Sequence, residues 1–293
     1  MKANGTKKLV RKAVILVAGY GTRFLPATKA QPKEMLPVID TPAVQLSVEE
    51  AINAGIEDIV LITGSSKRAI EDHFDANTDL ENRLRQQKKH AQLESITRIQ
   101  RLANFIYVRQ PQPLGNGHAT LMAEAAIGNE PFVLLYPDDL IVSKKNSIKE
   151  MIQVYEEFQA PVMGLLHVEK KDVTKYGIAK VNHIREHIYE VSQVIEKPTL
   201  AQAPSQLASL KGFVFPPIIF EYLRKVRRGK DGEIWLPDAV DLYNKKHAVF
   251  GCELNGEVFD LGSKLGWLKA NVSFALKRPE LRKEFRAYLK KLV

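Results

Sequence analysis

Cysteine is almost absent from this chain, because Cys252 is the only one among 293 residues. A single thiol excludes an intramolecular disulfide framework and a cysteine-rich metal cluster, and it is typical of a reducing compartment. We therefore expect a cytoplasmic protein. Long apolar runs are also missing, since none approaches the ~18 residues of a membrane helix. The apolar run 13–18 is shorter than the ~7–15 residues of a signal-peptide core, and we interpret it as a buried strand.

A continuous basic surface is a third missing feature. The formal net charge is +9, but residues 1–12 carry five Lys and Arg with no acid, and residues 277–293 carry seven against two acids. The body between these tails is close to neutral, which does not favour a protein that binds nucleic acid. We interpret the two tails as solvated charge, with an anionic partner as the alternative.

Short apolar runs that alternate with helical patterns predict an α/β fold. We expect a Rossmann-like, three-layer architecture with a mixed, mostly parallel sheet and helices on both faces. The predicted strands are 13–18, 58–63, 105–108, 132–136, 162–168, 178–181 and 188–195. The predicted helices are 42–54, 66–74, 80–102 and 117–127, with others starting near 217, 237, 263 and 279. Because no repeat or linker interrupts the chain, we expect one domain over residues 1–293.

A glycine-rich loop follows the first predicted strand and carries Ala18, Gly19, Gly21, Thr22 and Arg23. Glycines let backbone N–H groups approach phosphates closely, and Arg23 and the later Lys33 add fixed positive charge. This pattern predicts a cradle for a polyphosphate. It is neither a P-loop nor a dinucleotide fingerprint, since the third glycine of the latter falls on Phe24. The glycine pair taken alone would equally fit a structural turn.

Two further patterns are interpreted from their position. Asp138 directly follows the predicted strand 132–136, and ligands of open α/β sheets bind at the carboxyl ends of strands. His183 and His187 match the H-x-x-E-H pattern of zinc proteases. That chemistry needs both histidines on one helical face, whereas 183–187 lies between two β-like runs. We interpret this segment as an exposed hairpin turn.

The order of several motifs resembles one enzyme family. The segments that carry the resemblance are 18–37, 65–75, 109–119, 137–139, 176–177, 196–198, 232–234 and 260–266. Together they are similar to the nucleotidyltransferases that make nucleotide sugars, and within these to the bacterial UTP–glucose-1-phosphate uridylyltransferases. The resemblance covers about residues 11–290.

The resemblance implies that glucose 1-phosphate attacks the α-phosphorus of UTP in line, giving UDP-glucose and pyrophosphate. Such a step requires charge neutralisation and alignment, with no covalent nucleophile. Arg23 and Lys33 would hold the leaving phosphates. The implied nucleotide contacts are Ala18, Gly19, Gly21, Thr22, Glu34, Gln110 and Gly115.

Sugar and metal contacts follow from the same resemblance. Glu196 would accept hydrogen bonds from sugar hydroxyls, Lys197 would bind the sugar phosphate, and Gly177 would allow close approach of the backbone. Asp138 and Asp260 would hold Mg²⁺, a hard cation usually bound by one or two carboxylates. A surface ion pair is the alternative for Glu196 and Lys197.

The resemblance also implies an organisation of the chain. We expect a nucleotide-binding half in about 11–140, a sugar-binding half in 141–262 and a C-terminal helical extension in 263–293. We further expect a homo-oligomer, either a dimer or a tetramer, that binds neither nucleic acid nor a membrane.

Gln110 suits uracil because one amide offers a donor and an acceptor, which match O4 and N3–H of the base. The alternative is an amide that bonds to the backbone of its own loop. We interpret Asp139 as a turn cap. His118, near the start of the predicted helix 117–127, is interpreted as a packing or capping residue.

The chain departs from the family at a few positions. Asn116 replaces Leu, Lys211-Gly212-Phe213 replaces Gly-Arg-Tyr, and Trp235 and Pro237 replace Gln and Thr. We expect the changes at 211–213 and at 235 and 237 to lie in the sugar-binding half. There Trp235 would reshape the approach to the glucose pocket. Two alternatives stay open: the same chemistry on a different sugar 1-phosphate, and a non-catalytic relative that holds UTP or a UDP-sugar.

Overall fold

The computed structural model describes residues 9–229 and 232–292. Its strands are β1 Lys12–Leu16, β2 Pro37–Val38, β3 Thr41–Pro42, β4 Asp58–Thr63, β5 Asn104–Arg109, β6 Phe132–Leu135, β7 Asp139–Val142, β8 Val162–His167, β9 Gly177–Arg185, β10 Ile188–Glu196, β11 Leu207–Phe215, β12 Val249–Glu253 and β13 Glu257–Asp260. Its α-helices are α1 Ala43–Asn53, α2 Arg68–Phe74, α3 Thr78–Gln86, α4 His90–Ile99, α5 Gly115–Met122, α6 Glu124–Ile127, α7 Ser147–Phe158, α8 Ile219–Leu223, α9 Leu236–Asn244, α10 Lys264–Lys277 and α11 Pro279–Leu292.

Within the described chain, one mixed sheet has the strand order β5-β4-β1-β6-β11-β8-β12-β10-β9. β1 pairs in parallel with β4 and β6, β4 with β5, and β8 with β12. β11 and β10 pair antiparallel with their neighbours. Seven of these nine strands therefore point in one direction, which confirms the expected mixed, mostly parallel sheet.

Helices cover both faces of the sheet, because successive residues of a strand point to opposite sides. In β1, Ala13 and Ile15 belong to one buried apolar cluster and Val14 to a second. The first cluster includes residues of α1, α2 and α7, and the second includes residues of α5, α8 and α9. The inner strands are nearly continuous apolar runs, as burial on both faces requires. The expected three-layer architecture is confirmed.

The loops that follow β1, β4, β5 and β6 lie at one edge of the sheet, because these four strands are parallel. The glycine-rich loop, the segment 64–67, Gln110 and Asp138 therefore leave the sheet at the same edge. The small antiparallel pair of β7 and β13 sets Asp260 opposite Asp139. This pairing brings the end of β13 beside the end of β6.

Some local predictions are wrong in extent. The predicted helix 80–102 is two helices, α3 and α4, and Lys88 between them has a φ of +55°. The predicted helix start at Thr41 and Pro42 is the short strand β3, which pairs with β2, so α1 begins only at Ala43. The hairpin around 183–187 is confirmed, but its turn is shorter than predicted: His183 lies in β9, which runs to Arg185, and the turn is 186–187, with Glu186 at a φ of +43°.

The predicted basic tails lie only partly within the described chain. Lys2, Lys7 and Lys8 fall outside the described residues. Lys12 lies in β1 with its Nζ 3.0 Å from Glu130 Oε1, so it belongs to the fold. The C-terminal basic stretch forms most of α11.

None of the helices in residues 9–229 and 232–292 has the length and the apolar character that a membrane crossing needs.

Candidate active site

A first cavity of about 400 Å³ opens at the carboxyl ends of β1, β5 and β6. The glycine-rich loop forms one wall, and the start of α5 forms another. Among the lining residues are all seven predicted nucleotide contacts, Ala18, Gly19, Gly21, Thr22, Glu34, Gln110 and Gly115. The structure thus gathers residues that are up to 97 positions apart in the sequence around one cavity.

A second cavity of about 610 Å³ adjoins the first. Its lining includes the predicted residues Arg23, Asp138, Glu196, Lys197 and Asp260. Tyr136 and Asp138 line both cavities, so the two share a wall. Groups bound in the two cavities would therefore meet beside the Asp138 carboxylate.

Two carboxylates converge in front of Gly262. A Cβ on this glycine would lie 3.0 Å from Asp260 Oδ1 and 3.1 Å from Asp138 Oδ2, so only glycine leaves the space open. The Gly262 N–H also donates to Asp260 Oδ1 at 2.9 Å, which fixes that carboxylate. Two carboxylates suit a divalent cation that completes its shell with phosphate oxygens and water. Among the described residues there is no group of three or more His, Cys, Asp or Glu that would form an all-protein metal site.

Two cations flank these carboxylates. Lys33 Nζ forms an ion pair with Asp138 Oδ2, and Arg23 Nη1 lies 3.5 Å from the position of a Cβ on Gly262. Burial lowers the pKa of Lys33, but the charges of Asp138 and Glu34 outweigh burial and leave the pKa raised above its usual value. Lys33 therefore carries its positive charge at neutral pH.

The glycine-rich loop packs closely over Lys33. Gly21 has a φ of +67°, and a Cβ there would lie 2.9 Å from Lys33 Cβ. Thr28 Oγ1 donates to the Gly21 carbonyl at 2.7 Å and holds the loop in this conformation. A side chain at position 21 would push the loop away from the lysine.

Sequence reasoning missed Lys67, whose Nζ forms a buried ion pair with Glu34 Oε2 at 2.7 Å. Burial raises the pKa of Glu34, and the nearby Lys67 and Lys33 offset this only in part. Glu34 Oε1 is buried and forms no hydrogen bond with the described residues. The pair ties the segment that carries Lys33 to the loop after β4. The motif 65–75 was visible in the sequence, but nothing local paired its lysine with Glu34.

A family model described as nucleotidyl transferase matches residues 12–275. The chain belongs to the nucleotidyl transferase family. A UTP–glucose-1-phosphate uridylyltransferase from Bacillus subtilis (strain 168) is 46% identical over 287 residues, which cover 98% of this chain and 97% of that protein.

Solved structures show the same fold. A UTP-bound UGPase from Acinetobacter baumannii has a TM-score of 0.91 at 40% identity and is matched over 97% of this chain and 100% of that chain. A UDP-glucose pyrophosphorylase complexed with UDP-glucose has a TM-score of 0.83 at 39% identity, over 92% of this chain and 100% of that chain.

In this nucleotidyl transferase, Gln110 lies buried in the wall of the first cavity. Its Nε2 donates to the Gly115 carbonyl at 3.2 Å and lies 3.0 Å from His118 Nδ1. The amide therefore does bond to its own loop, the alternative weighed above, and neither contact uses Oε1. Gly115 has a φ of +92°, and a Cβ there would lie 2.6 Å from the Ile234 carbonyl oxygen, so this turn requires glycine.

The end of the β9–β10 hairpin carries the predicted sugar residues. Gly177 pairs with Glu196, and a Cβ on Gly177 would lie 3.0 Å from Glu196 Oε2. Lys197 has a φ of +44°, and its Nζ lies 4.0 Å from Glu196 Oε1. The surface ion pair is thus present, but it is long and exposed, so both side chains stay available to a ligand in the second cavity.

The expected place of the family departures is wrong for Lys211. Its side chain is only 1% exposed and forms an ion pair with Glu50 of α1. Its backbone N–H donates to Asp139 Oδ2 at 3.0 Å, and its Nζ donates to the Asp139 carbonyl at 3.3 Å. Lys211 therefore supports the turn behind Asp138 and is not among the residues that line the second cavity. Burial raises the pKa of Asp139 to about 6, and the bond from Lys211 gives its carboxylate a structural role.

The expected place of Trp235 is also wrong. The segment 233–236 packs on the turn 114–117: Ile234 N–H donates to the Leu114 carbonyl at 2.8 Å, and Leu236 N–H donates to Asn116 Oδ1 at 2.9 Å. Glu233 lines the first cavity, whereas Trp235 precedes α9 with 40% of its surface exposed. Two family departures, at 116 and at 235–237, therefore lie close together beside the first cavity.

Proposed function

We propose that the protein transfers the uridylyl group of UTP to glucose 1-phosphate, forming UDP-glucose and pyrophosphate. The observation that carries this proposal is the shared wall of the two cavities, because one carboxylate, Asp138, reaches both. The relatives named for UTP and UDP-glucose support it, since they match nearly the whole chain at 39–46% identity.

The first cavity would hold UTP. Backbone N–H groups of the glycine-rich loop would approach the phosphates, and Lys33 and Arg23 would offset the charge that develops on the departing pyrophosphate. Gln110 and the turn at Gly115 would lie at the uracil. These roles are supported by the position of each residue in or beside the cavity.

The second cavity would hold glucose 1-phosphate. Glu196 would accept hydrogen bonds from sugar hydroxyls, and Lys197 would bind the sugar phosphate. A phosphate oxygen of the sugar would form the new bond to the α-phosphorus of UTP. The bond from the α-phosphorus to its bridging oxygen would break, and pyrophosphate would leave with that electron pair. The residues of the two cavities would contribute by aligning the two substrates on either side of the shared wall at Asp138.

Asp138 and Asp260 would hold Mg²⁺, since their oxygens converge in front of Gly262. When bound there, the ion would neutralise negative charge on phosphoryl oxygens. Lys33, which forms an ion pair with Asp138, would hold that carboxylate in place.

The organisation expected from the sequence is part of this proposal with one exception: nucleotide binding in 11–140, sugar binding in 141–262 apart from the segment 233–236 at the first cavity, and a helical extension in 263–293. A homo-oligomer, dimer or tetramer, is also proposed. Exposed apolar side chains at Leu265 and Leu268 of α10 support it, because neighbouring apolar groups on a surface are typical of a contact between chains.

UTP with glucose 1-phosphate is expected to give the fastest pyrophosphate release in a panel of nucleoside triphosphates and sugar 1-phosphates. For CTP, kcat/KM should be at least about tenfold lower, since each buried polar group left unpaired costs ~1–3 kcal/mol. Galactose 1-phosphate and N-acetylglucosamine 1-phosphate test the sugar. Trp235→Gln is the matched control and should leave the sugar ratios unchanged, because Trp235 is not among the residues that line the second cavity, where the sugar would bind.

Equal turnover of CTP, or a preference for another sugar 1-phosphate, would contradict the proposal. Tight UTP binding without turnover of any sugar would instead support the non-catalytic alternative.

A further inference from the structure

The amide of Gln110 has both of its N–H groups directed at the protein. The amide nitrogen Nε2 lies 3.2 Å from the Gly115 carbonyl oxygen and 3.0 Å from His118 Nδ1. A backbone carbonyl only accepts hydrogen bonds, so the nitrogen of the amide must face Gly115. The orientation of the amide therefore follows from its surroundings. Oε1 is the atom that remains for a ligand in the first cavity.

His118 is the second group that defines this orientation. Its Nδ1 can accept a hydrogen bond from the remaining N–H of Gln110 only if the proton of the neutral ring is on Nε2. Burial lowers the pKa of His118, and the charge of Arg228 lowers it further, so the ring is neutral near pH 7. A rotated amide would set Oε1 against the Gly115 carbonyl oxygen, and His118 could then donate to Oε1 only after its proton had moved to Nδ1, the less stable tautomer of a neutral imidazole.

We propose that His118 is a specificity-determining residue, which acts through Gln110 by holding the amide with Oε1 toward the base. The inference rests on the proposed function, because it assigns the nucleotide base to the first cavity. His118 does not touch the reacting phosphates. It is a positioning residue whose effect is confined to the choice of base.

The chemistry of the pyrimidines explains the selection. Uracil presents N3–H, which donates a hydrogen bond to Gln110 Oε1. Cytosine has an unprotonated N3, whose lone pair would face the lone pairs of Oε1 and repel them. A rotated amide would present Nε2 instead and would suit cytosine. Together with the Gly115 carbonyl, His118 opposes that rotation and so disfavours the arrangement that CTP needs.

The test compares kcat/KM for UTP and for CTP, each with glucose 1-phosphate, in wild type, His118→Leu and His118→Asn. Leu removes the acceptor at similar size, and the UTP-to-CTP ratio is expected to fall about tenfold, the usual effect of losing one neutral hydrogen bond. Asn keeps an acceptor, Oδ1, near the position of Nδ1, and its ratio should stay within about threefold of wild type.

A second arm shows whether the effect passes through Gln110. In a Gln110→Ala background, His118→Leu should leave the ratio unchanged, because the amide that it orients is gone. Thermal unfolding of each variant reports whether the protein is folded. A merely structural role of His118 would lower turnover of both nucleotides together and would not move their ratio.

The outcomes separate the two proposals. A wild-type enzyme that does not prefer UTP would overturn the proposed function itself. A wild type that prefers UTP, with an unchanged ratio in His118→Leu, would overturn only the role of His118. The role of His118 would also be overturned if His118→Leu lowered the UTP-to-CTP ratio as much in the Gln110→Ala background as in the wild type.

Discussion

Asp138→Asn is expected to lower kcat about 10²- to 10³-fold while the protein stays folded. Asp138 lines both cavities, contacts Lys33 and converges with Asp260 in front of Gly262. Asn keeps the size of the side chain but removes its charge. One electrostatic contact on a developing charge is typically worth ~3–4 kcal/mol, which corresponds to this loss of rate.

The measurement is the steady-state rate of UDP-glucose formation, with circular dichroism to confirm folding. Asp72→Asn is the matched control, because Asp72 is an exposed carboxylate that pairs with Arg68 at 3.6 Å on α2. This control should keep the wild-type rate. Near-normal turnover in folded Asp138→Asn would show that the shared wall is not where the phosphoryl groups react.

Lys211→Met is expected to lower the free energy of unfolding by about 3–5 kcal/mol, the usual cost of removing one partner of a buried ion pair. Lys211 is almost fully buried and pairs with Oε2 of the largely buried Glu50, whose Oε1 forms no hydrogen bond in the described chain. The methionine would leave the glutamate charge without compensation. The double variant Glu50→Met/Lys211→Met should recover most of the loss, because it removes both charges.

Urea unfolding measures these free energies. Lys277→Met is the matched control: Lys277 pairs with Glu257 at 3.3 Å, but both side chains are about half exposed. An exposed pair typically contributes only ~0–1 kcal/mol, so this variant should unfold close to wild type. If Lys211→Met were no less stable than Lys277→Met, the buried pair would not support the turn behind Asp138.

Local patterns were enough to predict several strands in the first half of the chain. β4 matches its prediction at both ends, because an apolar run lies between helix-ending Gly55 and the polar segment after Thr63. β11 was not predicted. Its run is interrupted by Lys211 and Gly212, which have φ values of +74° and +136°. It is a strand because it pairs with β6 and β8 on its two sides, which is a tertiary effect.

The candidate site was predictable where residues are close in sequence. The glycine-rich loop and Lys33 carry their chemistry in one segment, and the structure brings both to one cavity. The contacts of Lys67 with Glu34 and of His118 with Gln110 depend on how separate loops meet. His118 offered a signal, since it lies eight residues after Gln110 near the start of α5.

The family departures show why position in the chain is a poor guide to position in space. Residues 233–236 come late in the sequence, yet they pack on the turn at Gly115. Lys211 also comes late, yet its side chain reaches α1. Both changes were expected beside the sugar, and neither side chain is among those that line the second cavity.

The proposed reaction is tested most directly by following the phosphorus atoms of UTP. The purified protein is incubated with glucose 1-phosphate, Mg²⁺ and UTP labelled with radioactive phosphorus at either the α or the γ position. If the proposed reaction takes place, the α label will appear in UDP-glucose and the γ label in pyrophosphate, in equal amounts. Release of the γ label as inorganic phosphate, its transfer to the sugar, or the absence of labelled UDP-glucose would contradict it.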